Sequence, residues 1–130
     1  MIPCILAHDL GTSGNKASLF DFNGKLIGST VVSYSVYYPR RGWAEERPED
    51  WWNAVCQATK SVLEMVPDAE VSTVAVTGQM MGCLALDKEG KTLGNSIIWS
   101  DSRAEAESER LVRQLTKEGY QKITGQPPSA

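Results

Sequence analysis

The chain has 130 residues, 42% of them hydrophobic, and a formal net charge of -3 from 13 Lys and Arg against 16 Asp and Glu. That length suffices to bury a core, while the acidic balance and the single basic pair Arg40-Arg41 exclude non-specific nucleic-acid binding, which needs cations clustered along a phosphate backbone. Cys4, Cys56 and Cys83 lack the spacing of a disulfide framework or a zinc site and read as reduced core residues, and His8, the only histidine, reads as structural.

In chain order, Ile2 to Asp9 is a nearly continuous apolar run that predicts a buried central strand. It is too short for a signal h-region or a membrane span, and it reads as a buried strand of a protein expected in the cytoplasm. After a turn at Gly11 to Asn15, Lys16 to Asp21 predicts a second strand, and Asn23-Gly24 a hairpin turn. Lys25 to Tyr38, rich in Val, Ile, Thr, Ser and Tyr, predicts a long third strand. Pro39 to Arg47 reads as a loop. Pro48, with Glu49 and Asp50 in the first turn, opens a helix. Its apolar stripe is Trp51, Trp52, Val55, Ala58, Val62, Leu63 and Val66, and Pro67 ends it. Val71 to Thr77 predicts another buried strand. Met81 to Leu86 and Thr92 to Trp99 predict strands around the turn Asp87 to Gly90. Ala104, Ser108, Leu111, Val112 and Leu115 mark a second helix closed by Gly119.

The order β-β-β-α-β departs from the β-α-β-α order of doubly wound dinucleotide folds. It predicts an α/β domain of the RNase-H-like, actin-like ATPase class, a three-stranded antiparallel meander followed by mixed β and α elements. In such a domain an anion is held by backbone N–H groups and hydroxyls at a hairpin turn. The stretch Asp9-Leu10-Gly11-Thr12-Ser13-Gly14-Asn15-Lys16, followed by a strand and not by a helix, has that character. Gly11 and Gly14 permit close backbone approach, Thr12 and Ser13 offer hydroxyls, Lys16 a point charge, and Asp9 a hard oxygen for a hydrated Mg²⁺. Taken alone, the same stretch equally describes a glycine-rich hairpin with a capping Asp.

Three further stretches complete a pattern: GWAEERPEDWW at Gly42 to Trp52, TGQMMG at Thr77 to Gly82, and IIWSDSRA at Ile97 to Ala104. With DLGTSGNK they resemble, in the same order and over most of the chain, the FGGY carbohydrate kinases, and xylulokinase-like members in particular. The resemblance implies an ATP-dependent, Mg²⁺-assisted transfer of a phosphoryl group to a ketose or polyol hydroxyl, in a cytoplasmic and homodimeric full-length enzyme. It assigns metal binding to Asp9, nucleotide contacts to Gly11, Thr12, Ser13, Asn15 and Lys16, and the substrate wall to Gln79, Met80, Met81 and Trp99. It also implies that this chain is the N-terminal part of a two-domain enzyme, with the catalytic Asp and the adenine site beyond residue 130. The end at Pro127-Pro128-Ser129-Ala130 reads as a cut within a domain. At Met80-Met81 the sequence departs from the pattern, Met-His in xylulokinases and Arg-Glu in glycerol kinases. Without the resemblance, the two methionines read as core packing. Asp101 and Arg103 read as a helix cap and an ion pair, and Trp43, Trp51 and Trp52 as packing residues. A non-catalytic binding fragment and another actin-fold ATPase are the alternatives; GQMMG and IIWSDSR speak against the latter.

Overall fold

The computed structural model describes residues 1–129. The first three strands form the expected meander: β1 (Ile2–Leu10), β2 (Gly14–Asp21) and β3 (Leu26–Ser33), each antiparallel to the next. A two-residue strand β4 (Glu45–Glu46) and helix α1 (Pro48–Met65) follow. Strand β5 (Ala69–Gly78) then returns parallel to β1, giving the sheet order β3-β2-β1-β5. Strand β6 (Ser96–Ile97) pairs with β4, and helices α2 (Glu105–Leu115) and α3 (Lys117–Thr124) end the chain. Among the described residues no helix is long and apolar enough to cross a membrane.

Helix α1 lies over β2 and β3. Its buried positions, Ala54, Ala58 and Val62, recur every four residues and form one stripe. They meet the inward faces of β1 and β2, where Cys4, Leu6, Ala17 and Leu19 complete the core. Small residues let the helix approach closely: a Cβ added at Gly28 of β3 would lie 2.9 Å from Val66 Cγ2.

Several sequence expectations are corrected. The third strand stops at Ser33, not Tyr38, because its partner β2 begins at Gly14 and offers no ladder beyond that point. The chain then turns away, and Tyr37 bonds instead to Glu45, N–H to O in both directions at 2.7 and 2.9 Å. The segments 81–86 and 92–99 are joined by the predicted turn, where Asp87 Oδ1 accepts the N–H groups of Glu89 and Lys91. They pair only through isolated bridges, Cys83 with Ile97 and Leu86 with Thr92, while Ile97 also pairs with Glu45 on its other side. The second helix ends at Leu115, not Gly119. Thr116 takes a left-handed φ of 59° and its hydroxyl accepts the Gly119 N–H, which starts α3; Gly125 closes that helix. Strand β5 is not buried: it is a sheet edge outside the footprint of α1, and Val74 and Val76 are exposed. Cys4 is buried, but Cys56 and Cys83 are exposed. Trp52 is exposed as well, so its ring does not pack in this chain.

Candidate functional site

Parallel pairing brings the C-terminal ends of β1 and β5 side by side, Asp9 opposite Thr77 and Leu10 opposite Gly78, and the Gln79 N–H donates to the Leu10 carbonyl at 2.9 Å. Such coincident strand ends are where ligands collect in α/β sheets. Two segments expected to carry chemistry, the Gly11–Gly14 turn and the loop after β5, therefore leave the sheet together.

The turn is held tightly. Gly11 N–H donates to Gly14 O at 3.0 Å, and Tyr34 fastens it from outside, with its N–H on Ser13 O and its hydroxyl on Gly11 O. Gly14 is needed by the protein itself, since a Cβ there would sit 2.8 Å from Val32 O. At Gly11 the Cβ position is open, with only Gly14 O at 3.8 Å, so the space beside the turn is free for a ligand. Among the described residues the Thr12 and Ser13 N–H groups have no partner and remain available as donors. Burial, with the Glu46 and Asp9 carboxylates nearby, pushes the Tyr34 hydroxyl up to about 12. Its folded value thus exceeds the unfolded one, so the stability it confers is complete below about pH 10 and is lost as the pH rises toward 12. Tyr34→Phe is expected to lower unfolding free energy by about 1 kcal/mol, the value of one hydrogen bond, measured as a shifted urea midpoint at constant slope.

Strand alternation sorts the remaining loop residues. His8 faces α1, its Nε2 at 3.2 Å from Thr59 Oγ1 and its Nδ1 accepting from the Asn15 amide at 3.0 Å. Asp9 and Lys16 are each one residue further along their strands, so both point to the face opposite α1, where they are cross-strand partners and exposed. Among the described residues neither enters an ion pair. Asn15 is the correction here. It was expected among nucleotide-contacting residues but is fully buried, and its amide is spent on His8 and the Ala54 carbonyl. Its role is to lock α1 to the root of the turn.

Of the expected substrate-wall residues, Gln79 and Met81 share one depression, whereas Met80 and Trp99 are outside its lining. Gln79, Met81, Trp51, Leu84 and Ile98 line a depression of about 310 Å³. Met80 and Met81 are 73% and 62% exposed, so they are not core packing. Met81 also holds a left-handed φ of 61°, a conformation uncommon for a residue other than Gly. Trp99 is half-exposed, and its indole N–H donates to Thr12 Oγ1 at 2.9 Å. Thr12 in turn donates to Gln79 Oε1 at 3.4 Å, and Gln79 Nε2 donates to Glu46 Oε2 at 2.7 Å.

A charged cluster follows Trp99 in the chain. Arg103 makes a fork to Asp101, Nε to Oδ1 at 2.9 Å and Nη2 to Oδ2 at 2.8 Å, and also reaches Glu45 at 2.7 Å. Its guanidinium lies 3.8 Å from the centre of the Trp43 ring, a favourable cation–π geometry. Asp101 also accepts the Ala44 N–H at 2.7 Å. The Arg103 bonds hold the Asp101 carboxyl down at about 2 and lower that of Glu45, which Asn95 also helps to lower. Asp101 thus pairs as expected but does not cap α2, whose N-cap is Ala104. Glu45, for which the sequence suggested no role, is the other anchor of Arg103. Glu46 and Tyr34 were missed altogether. The one available signal for Glu46 was alternation, since two adjacent glutamates in an extended segment must point to opposite sides.

Comparison with known proteins gives a consistent result. The profile of the FGGY family of carbohydrate kinases, N-terminal domain, matches residues 4–130. A glycerol kinase of Rippkaea orientalis is 37% identical over 118 residues, covering 88% of this chain and 23% of the relative. A gluconokinase of Bacillus licheniformis is 30% identical over 127 residues, 98% of this chain and 25% of the relative. The crystal structure of a xyloylose kinase from Brucella ovis superposes with a TM-score of 0.88 at 31% identity, over 95% of this chain and 26% of that one. The chain spans about a quarter of the length of each.

Proposed function

The chain belongs to the FGGY family of carbohydrate kinases, as its N-terminal domain, and from that premise we propose that it supplies the phosphate turn and acceptor wall of an ATP-dependent kinase acting on a hydroxyl of a ketose or polyol. The observation that carries this is the double engagement of Thr12. Its hydroxyl sits in the Gly11–Gly14 turn yet bonds to both Trp99 and Gln79, so donor-side and acceptor-side groups share one atom. Phosphoryl transfer depends chiefly on positioning and charge stabilisation. The free Thr12 and Ser13 N–H groups, the open space at Gly11 and the Lys16 ammonium suit the phosphate chain. Trp99 offers an aromatic face to sugar carbons, and Gln79 an amide beside the acceptor.

Among the described residues no group of three or more His, Cys, Asp or Glu could hold a metal ion. Mg²⁺ keeps several waters and binds through one or two carboxylates plus substrate phosphates; Asp9, exposed and outside any ion pair among the described residues, is the residue to hold it. When bound it neutralises charge on the transferred group. The general base and the adenine site come from outside this chain, and the complete enzyme is cytoplasmic and homodimeric. ADP release from the full-length protein, followed over a panel of pentuloses, glycerol and gluconate, tests the proposal. Release that depends on one of these acceptors is the expected result, and no dependence on any sugar or polyol would overturn it.

Acceptor choice turns on Met81, whose exposed thioether in the depression can accept only weakly. A sugar hydroxyl facing it loses a partner worth roughly 1–3 kcal/mol, so discrimination against D-xylulose is expected. Met81→His should raise kcat/KM for D-xylulose about tenfold or more relative to glycerol. Histidine tolerates the left-handed backbone found here. A clear preference of the unmutated enzyme for D-xylulose would refute this.

A further inference from the structure

Glu46 is fully buried, and one of its oxygens, Oε1, has no partner among the described residues. Burial pushes its carboxyl up from the ordinary range. Its other oxygen does all the bonding: Oε2 accepts the Trp51 indole N–H at 2.6 Å and the Gln79 amide at 2.7 Å. An unpartnered carboxylate oxygen this deep is costly to keep, and the fold gains no ion pair from it. What it does have is a place at the end of a chain of hydrogen bonds: Trp99 to Thr12, Thr12 to Gln79, Gln79 to Glu46.

The direction of that chain is fixed by chemistry. An indole N–H only donates, so Thr12 must accept from Trp99 and has its proton free for Gln79. The Gln79 amide presents its oxygen to Thr12 and its NH₂ to Glu46. Left alone, an amide can flip and reverse this. The ionised Glu46 carboxylate removes the choice, because its oxygens can only accept, and Oε2 takes both the Trp51 and the Gln79 donors.

Resting on the function proposed above, we propose that Glu46 is a positioning residue that sets the amide sense of Gln79 and thereby orients Thr12 and Trp99, registering the phosphate turn against the acceptor wall. What is required at position 46 is a buried acceptor at the Oε2 point; negative charge is not. Glu46→Gln meets that requirement, with its carbonyl oxygen facing the two donors and its NH₂ in the place of the unpartnered Oε1. Glu46→Leu does not, and Glu46→Asp draws the acceptor back by one methylene.

The test has two parts. In steady-state kinetics of the full-length kinase, Glu46→Gln should leave acceptor KM and ATP KM within about threefold of the parent. Glu46→Leu should raise acceptor KM by about tenfold or more with ATP KM within threefold, and Glu46→Asp should fall between. An unchanged acceptor KM in Glu46→Leu, or in Glu46→Asp should the leucine variant not fold, would overturn the proposal, as would equal rises in both KM values. In ¹⁵N-tryptophan spectra of the same protein, Glu46→Asp or Glu46→Leu should shift the Trp99 indole resonance as well as that of Trp51, and Glu46→Gln should shift Trp99 little. A purely local role would move Trp51 alone, and that result would overturn it too. Because the spectra need no turnover, they separate failure of the hydrogen-bond chain from failure of the proposed activity.

Discussion

Asp9→Asn in the full-length kinase is expected to lower kcat by at least about a hundredfold while the acceptor KM moves less than threefold, the pattern of an interaction realised in the transition state and not in acceptor binding. The substitution is close to isosteric. Asp9 is exposed at the end of β1 and outside any ion pair among the described residues, so no internal contact confuses the result. Its strand neighbour His8, by contrast, is buried in bonds to Asn15 and Thr59. A substituted enzyme with its kcat intact would remove Asp9 from the proposed chemistry. A melting temperature equal to that of the parent is the accompanying control.

The largest stability effect is expected at Asp101. Its carboxylate takes the two-pronged Arg103 fork and the Ala44 N–H while 7% exposed. Asp101→Asn turns one acceptor into a donor facing the guanidinium, leaving a partly buried cation under-bonded. A loss of about 2–3 kcal/mol follows, or roughly 10 °C in Tm for a domain of this size. The pH dependence has a definite sign. The folded carboxyl lies at about 2, below its ordinary 3.8, so its contribution is present above about pH 4 and disappears as the pH falls toward 2. Glu45, also lowered by Arg103, acts in the same direction. Urea midpoints of parent and variant should therefore differ at pH 7 and converge near pH 2. A constant difference across that range would mean that the cost of Asp101→Asn is steric. Arg103→Lys should not rescue the parent value, because a point charge cannot reproduce the fork.

How much of this was legible varies with the range of the interaction involved. The meander and α1 could be read from local pattern: a continuous apolar run for β1, Asn23-Gly24 for the hairpin, and Pro48 with a helically spaced apolar stripe for α1. Strand lengths depend on partners. Tyr34 to Tyr38 has good strand composition but, beyond the single bridge of Tyr37 to Glu45, no partner to pair with, so β3 stops opposite the start of β2. Residue type indicates a preference for the interior without saying how far α1 covers the sheet, which leaves Val74 and Val76 exposed, or which face of α1 a residue takes, which puts Cys56 outside the stripe of Ala54, Ala58 and Val62. At the candidate site, Asp9, Thr12, Lys16, Gln79 and Trp99 were identifiable by motif and do converge at one end of the sheet. Asn15 looked the same in the motif, and only its place in the strand alternation sends it inward. Glu46 carries no motif of its own, since its importance arises from Trp51 and Gln79, which the fold brings to it from opposite sides.

The position of β5 has a consequence for the order in which the sheet assembles. Strands β1, β2 and β3 are joined by short turns, so their pairing closes small loops and can form early at little entropic cost. Strand β5 reaches β1 only after the whole of α1 has been crossed, and it pairs on one edge alone. The loop after β5 carries Gln79, so that part of the acceptor wall forms only once β5 has docked. That same edge is one that α1 does not cover, so the sheet can open there without disturbing the core under the helix. Partial opening there would detach Gln79 from Leu10 and Thr12 while the hairpin that holds Asp9 and Lys16 stays closed, so the two halves of the site have unequal lifetimes.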